Sequence, residues 1–297
     1  MRVKMTVAYD GTNYKGWQVQ PNGITIEEVL NKNLSNLLGE EIVVSGASRT
    51  DSGVHSLGNI AVFDTNTRMP ADKIAFALNQ RLPEDIVAQG SSEVEDGWHP
   101  RYQNSRKTYE YRILNRTFRM PTRRLDTYFY HYPLDVEKMK KAASYLVGEH
   151  DFKSFCSIRT QVEDTVRRIY SITIKKNEDD RIDIRISGNG FLYNMVRIIV
   201  GSLVKVGCGF WKPEQIKEAL EARDRSKAGP KAPAEGLTLI SIEEETLPAV
   251  IREENEHWSY RINQGEIESF GKAYIQIYEC DECDFERLLL RLVKQAS

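Results

Sequence analysis

The 297 residues contain no uninterrupted run of eighteen apolar side chains, which excludes a membrane-spanning helix on sequence grounds. The opening stretch, MRVKMTVAYDG, has no apolar h-region of the kind a secretory signal carries and reads directly as a strand, so a cytoplasmic protein is expected. Cysteine is scarce: Cys156, Cys208, Cys280 and Cys283 are too few and too scattered for the disulfide framework of a secreted protein. Cys280 and Cys283 have metal-ligand spacing, but without a second pair or a nearby histidine they do not make a zinc site, and no motif implies an organic cofactor. No metal and no cofactor are expected. A strong net charge is lacking as well, the formal value being −2, but the sum conceals a division. Residues 243–297 carry thirteen acidic and six basic side chains, a net of −7, which leaves +5 for residues 1–242. The body of the chain is therefore basic enough to permit the phosphate contacts that a nucleic-acid partner requires.

What is present is ordinary for a globular enzyme: 40% hydrophobic and 28% charged residues, in a length sufficient for two compact domains or one large one. Arg2 to Tyr9 alternates as a strand, and Thr25 caps a helix with Val29, Leu30, Leu34, Leu37 and Leu38 at helical spacing, ended by Gly39. Ile42–Val44 and Ile60–Phe63 are strand-like runs either side of a loop rich in glycine and serine. Ala71 to Leu82 is a second helix and Asp85 to Val94 a further strand. That order, β-α-β-β-α-β, is the split βαβ arrangement of a ferredoxin-like sheet. From Arg101 it partly repeats, with strands at Thr108–Leu114 and Tyr128–Tyr132, a helix at Val136–Val147 and a hairpin of Arg168–Lys175 and Arg181–Ser187. An apolar helix at Phe191–Val206, a helix from Pro213 to Ala222 and a strand at Leu237–Glu243 follow. The fold class expected is α+β: two ferredoxin-like (RRM-like) halves, residues 1–100 and 101–245, with antiparallel sheets side by side and a catalytic cleft between them. Residues 246–297 are expected to form a small α+β appendage, with strands at His257–Asn263 and Ala273–Tyr278 and a helix at Phe285–Val293.

Chemistry concentrates between Val43 and Phe63, VVSGASRTDSGVHSLGNIAVF. Arg49, Asp51 and His55 are polar groups on a loop between two apolar runs, the usual way of presenting reactive side chains on a rigid frame. Asp51-Ser52-Gly53 is also ordinary turn composition, and on spacing alone the two readings stand level. Two other places carry candidates. Lys107, Tyr109 and Tyr111 share one face of a strand, where a tyrosine either packs or meets a ligand. Arg197 interrupts an otherwise apolar helix, so its charge must reach solvent or find a carboxylate. Arg116, Arg119, Arg123 and Arg124 gather around Met120-Pro121 in a loop, either solvated or gripping phosphate.

Gly46-Ala47-Ser48-Arg49-Thr50-Asp51-Ser52-Gly53-Val54-His55 resembles the G-A-G-R-T-D-A-G-V-H signature of the TruA family of tRNA pseudouridine synthases. Ser48 for Gly and Ser52 for Ala are small-for-small departures, of which Ser48 would restrict a backbone that glycine leaves free. Lys107-Thr108-Tyr109 matches the family's K/R-x-Y motif, and Asn189 to Leu203 its N-x-F-x-x-x-M-V-R-x-I-V-G-S-L segment. Lys231 to Leu237 resembles its A-P-A-x-G-L ending, so the likeness runs from about Val3 to Ile242. The resemblance implies that Asp51 is a catalytic nucleophile, that Tyr109 packs under the target base, and that Arg197 holds Asp51 ionised through a bidentate contact. It also places Arg49, His55 and Leu192 in the substrate-binding set, with Arg49 filling the space a flipped base leaves. It implies tRNA as partner, a homodimer, and isomerisation of uridine to pseudouridine in the anticodon arm, with attack on either sugar or base. The rival reading is a non-catalytic RNA-binding module of two RRM-like sheets whose loop only recognises a base. Glycoside hydrolysis would need two carboxyl groups about 5–10 Å apart, and only Asp10 is near Asp51 in motif terms.

Overall fold

The computed structural model describes residues 1–101, 103–158 and 162–244, together with the backbone of two short strands beyond them. By its contacts the chain divides into two units, Met1–Thr246 and Leu247–Ser297. In the first unit β1 (Arg2–Tyr9) alternates strictly, burying Val3, Met5, Val7 and Tyr9. They pack with Ile26, Leu30 and Leu34 of α1 (Ile26–Leu38) in one hydrophobic core. The Thr25 hydroxyl accepts from the Glu28 amide and Gly39 closes the helix in the left-handed region, as the sequence predicts. β2 (Ser45–Gly46), β3 (His55–Asp64), α2 (Ala71–Asn79) and β4 (Ile86–Val94) complete this part, in the antiparallel order β4-β1-β3-β2.

The β-branched run Ile42–Val44 is not a strand. Ser35 Oγ accepts from the Ile42 amide and Asn31 Oδ1 from the Val44 amide, both at 2.8 Å, so side chains of α1 take donors that a ladder would have used. β3 instead begins five residues before the apolar run, at His55, and absorbs much of the expected loop.

The second part holds β5 (Ser105–Asn115), β6 (Tyr128–Tyr130), α3 (Val136–Ser144), β7 (Gly148–Asp151), β8 (Val166–Lys176) and β9 (Arg181–Gly188). α4 (Met195–Gly207), α5 (Glu214–Ala222) and β10 (Leu237–Glu244) follow. Its strands run β10-β5-β9-β8-β7, with β6 parallel to β5, and its core is separate from the first. The helix expected from Phe191 starts only at Met195, after Asn194 turns left-handed at φ 61°, which frees residues 191–194 to line a cavity.

The two sheets expected side by side are one. β10 pairs antiparallel with β5 along most of its length and parallel with β3 at Thr238–His55 and Leu239–Ser56, giving among the described residues a mixed sheet of ten strands with five helices. β2 covers β3 only at Ala61 and Val62, so this short parallel step satisfies backbone groups at the other end of β3 that would otherwise lie unpaired.

No helix among the described residues is long and apolar enough to cross a membrane. In the second unit β11 (Ile262–Asn263) and β12 (Glu266–Ile267) pair antiparallel. The expected strand at Ala273–Tyr278 and helix at Phe285–Val293 lie outside the described residues.

One close approach fixes α4 against the chain that follows α5. A Cβ built at Gly201 would lie 1.7 Å from the Pro230 carbonyl oxygen, and the same segment joins α4 through the Ala232 amide and the Arg197 carbonyl at 3.0 Å. Gly201→Ala is therefore expected to lower stability by about 1–3 kcal/mol, the usual cost of overpacking, and to lower activity because residue 232 moves. Denaturant unfolding checks the first; an unchanged midpoint would mean that the segment yields without cost.

Candidate active site

Asp51 lies in the loop between β2 and β3, and nearly every residue of that loop is pinned. The Ala47 amide donates to Ile60 O at 2.8 Å, Trp17 N to Thr50 O at 3.0 Å, and Val54 N to Asp51 O at 3.1 Å. Thr50 Oγ1 shares a 2.7 Å hydrogen bond with Tyr9 Oη. Asn59, fully buried on β3, clamps Ser48 at both ends, accepting from its amide at 3.1 Å and donating to its carbonyl at 2.9 Å. Gly46 precedes the loop because the Trp17 indole lies where a side chain would be: a Cβ there would approach Trp17 Cε2 to 2.3 Å. The turn reading of Asp51-Ser52-Gly53 and the functional one are thus compatible, since the turn hydrogen bond leaves the carboxylate free to point elsewhere.

The carboxylate meets Arg197, in the first turn of α4, with Nη1 donating to Asp51 Oδ2 at 3.0 Å. Both side chains are largely buried, so Arg197 does not snorkel. The contact is not bidentate. Arg197 Nε donates instead to the Ala232 carbonyl at 2.8 Å, and Nη1 reaches Asn194 Oδ1 at 3.3 Å, so the guanidinium is divided between the carboxylate and the framework that aims it. Burial pushes the Asp51 carboxyl above the ordinary aspartate value, against the opposing pull of Arg197 and, more weakly, of Lys231.

Tyr109, on β5, is buried with its ring edge-on to Phe191 at 5.3 Å, and its hydroxyl shares a 2.7 Å hydrogen bond with Ser48 Oγ. Burial, with Asp51 nearby, raises the phenol to about 12, so it is a neutral hydrogen-bonding group at physiological pH. Ser48 does not have the positive φ that would call for glycine.

Asp51, Arg197, Tyr109, Arg49 and Leu192 line a single cavity of about 440 Å³, large enough for a nucleoside. Arg49 is exposed at its edge and Leu192 is buried in its wall. His55 is not among the lining residues. Its Nδ1 lies 3.1 Å from both the Gly11 amide and Asp10 Oδ1, and Nε2 lies 3.2 Å from the Glu235 carbonyl. In this position it ties the turn after β1 to the segment before β10, and Asp10 faces it rather than Asp51. Of the loop arginines, Arg116 and Arg123 face Asp180 and Asp179, while Arg119 lies over Phe129.

Sequence reasoning missed Asn59, Phe191, Asn194 and Lys231, and did not count Lys107 as part of the site. An asparagine immediately before the apolar run Ile60–Phe63 is the available signal for the first, and Asn194 stands three residues from Arg197, whereas Phe191, Lys231 and Lys107 act through contacts remote in sequence.

The chain matches the family model described as tRNA pseudouridine synthase over residues 5–103 and 142–243. It is 52% identical over 240 residues to tRNA pseudouridine synthase A of Thermoanaerobacter sp., covering 81% of this chain and 98% of the relative. It is 46% identical over 241 residues to the protein of that name in Ruminiclostridium cellulolyticum, again 81% and 98%. Among solved structures, a chain of the archaeal box H/ACA sRNP Nop10–Cbf5 complex matches at a TM-score of 0.33 and 12% identity, over 76% of this chain and 59% of that one. The sequence relatives, aligned over nearly their whole length, decide the assignment: this chain belongs to the tRNA pseudouridine synthase family.

Proposed function

We propose that this isomerase uses Asp51 as its nucleophile on a uridine of the anticodon arm, flipped out of its stack into the cavity. The supporting observation is the buried Asp51–Arg197 pair at the cavity wall, on a loop held by hydrogen bonds on either side of the carboxylate. The reaction is an isomerisation: the N1–C1′ bond breaks, the base turns, a C5–C1′ bond forms, and the proton lost from C5 is balanced by the one N1 gains. No co-substrate is consumed, and the work left to the protein is positioning and charge. In this reading Tyr109 lies against the base, with Phe191 fixing its ring, Leu192 supplies apolar wall, and Arg49 occupies the gap left in the RNA. His55 is a framework residue.

The strand orders β4-β1-β3-β2 and β10-β5-β9-β8 support reading residues 1–100 and 101–245 as two ferredoxin-like halves fused edge to edge, the acidic residues 246–297 standing beyond the family region. A homodimer gripping one tRNA with both subunits fits this reading. The rival of a non-catalytic RNA-binding module gives way to membership in an enzyme family.

Asp51→Asn is expected to remove pseudouridine formation by at least about 10⁴-fold while leaving folding and most tRNA affinity intact. Measurable turnover by pure mutant enzyme would take Asp51 out of the mechanism. Arg197→Lys cannot serve Asp51, Ala232 and Asn194 with the same geometry, so kcat should fall by roughly 10- to 100-fold, the equivalent of one charge-assisted hydrogen bond. Tyr109→Phe keeps the ring and should bind RNA normally but turn over slowly. Wild-type rates in both would relocate the site.

Only ionised Asp51 can attack. Because burial raises its pKa, the single-turnover rate should fall as pH drops through a value above the ordinary aspartate range. Lys231→Met removes a charge that favours ionisation and should move this acid limb to higher pH. An acid limb that stays in place would show that another group sets it.

A further inference from the structure

Five cations, Arg49, Arg101, Lys107, Arg167 and Arg197, line the cavity, and Asp51 is the one carboxylate among its described lining residues. Arg197 is matched to Asp51. Lys107 is the most constrained of the other four. Its Nζ donates to the Ala47 carbonyl at 3.1 Å, which accounts for one of three N–H groups. Burial, then Arg101, then Arg167 push its ammonium down to about 8, and among the described residues no carboxylate acts on Lys107 in the opposite sense, although Asp164 Oδ2 lies 3.9 Å from Arg167 Nη1. An ammonium buried at a reaction cavity with two N–H groups beyond the Ala47 bond is costly unless an anion meets it, and that cost points to a ligand. The same substrate that brings uridine to Asp51 brings phosphates.

We propose that Lys107, with Arg101 and Arg167, forms a phosphate subsite of this cavity, taking a backbone oxygen of RNA next to the uridine that reaches Asp51. The assignment rests on Asp51 as the reacting group. The surroundings of Asp51 favour it over a role in the chemical step: Arg197 and Lys231 are the cations that act on that carboxylate, and Lys107 is not among them. The bond to Ala47 O gives the subsite a second consequence, since a phosphate on Lys107 is felt four residues from the nucleophile. Substrate seating and loop placement are thereby joined in one ammonium.

Two measurements on the full chain test this. For unmodified tRNA transcript, the log–log dependence of affinity on salt should become shallower by about 0.7–0.9 in Lys107→Met and recover in Lys107→Arg. An unchanged slope in a folded Lys107→Met protein overturns the proposal. If that variant does not fold, Arg167→Gln carries the same expectation and the same refutation. Next, one neutral methylphosphonate is placed at each phosphate flanking the uridine that wild-type enzyme converts. One of the two should weaken wild-type binding at least about fivefold and leave Lys107→Met binding unaltered. Equal losses in both proteins overturn the assignment. Wild-type enzyme that converts no uridine would instead refute the Asp51 reading, while the salt slope would still report whether Lys107 meets phosphate.

Discussion

The ion pair between Asp51 and Arg197 depends on both parts of the sheet at once. Asp51 belongs to a loop of the first and Arg197 to a helix of the second, 146 positions apart in the chain. A 3.0 Å contact between them requires that the two be locked together, and the lock is the parallel step between β3 and β10. That step begins at His55, four residues after Asp51. His55 reinforces it from the side, with Nδ1 near the Gly11 amide and Nε2 near the Glu235 carbonyl. A sheet that stopped at β3 would leave the carboxylate without its partner in a buried site, where an unpaired charge costs several kcal/mol.

The loop also shows a conflict that the fold does not remove. Burial disfavours the ionised form of Asp51, yet that form is the one with a nucleophilic oxygen. With its folded pKa raised, Asp51 stabilises the native state most when protonated, and that contribution is lost as pH rises from the unfolded value through the folded one. Arg197 recovers part of the cost through one hydrogen bond. Its other donors hold Ala232 and Asn194, which keep the guanidinium where the carboxylate needs it. Rigidity at this point is supplied before substrate arrives, the condition under which fixed charges act most strongly on a reacting group.

Much of this is legible in the sequence, and what is not has physical reasons. Alternation marks β1, and the Thr25 and Gly39 caps mark α1 to the residue. Arg197 inside an apolar helix must reach solvent or find a carboxylate, and it is the family resemblance that chooses the carboxylate. The run Ile42–Val44 misleads because β-branched composition reports a preference for extended backbone, not whether the amides find a ladder; here α1 takes them. His55 stands in the motif beside Asp51, but its ring lies outside the cavity lining and its Nε2 reaches the carbonyl of Glu235, 180 residues away, a contact that motif position does not report. The fusion of the sheets is invisible for a similar reason: two residues of parallel pairing leave no periodic trace in a sequence.

Ser48 is the instructive departure from the family signature. Read as sequence, a serine in place of glycine threatens the backbone; in the fold the φ at this position needs no glycine, and Asn59 clamps the residue by amide and carbonyl alike. On this immobilised main chain the added hydroxyl lies 2.7 Å from Tyr109 Oη. A buried phenol with a fixed partner loses rotational freedom and presents its remaining hydrogen-bonding capacity in one direction. The substitution that looks like a liability for the loop is therefore a restraint on the tyrosine, set on a main chain that a buried asparagine eleven residues along holds by amide and carbonyl.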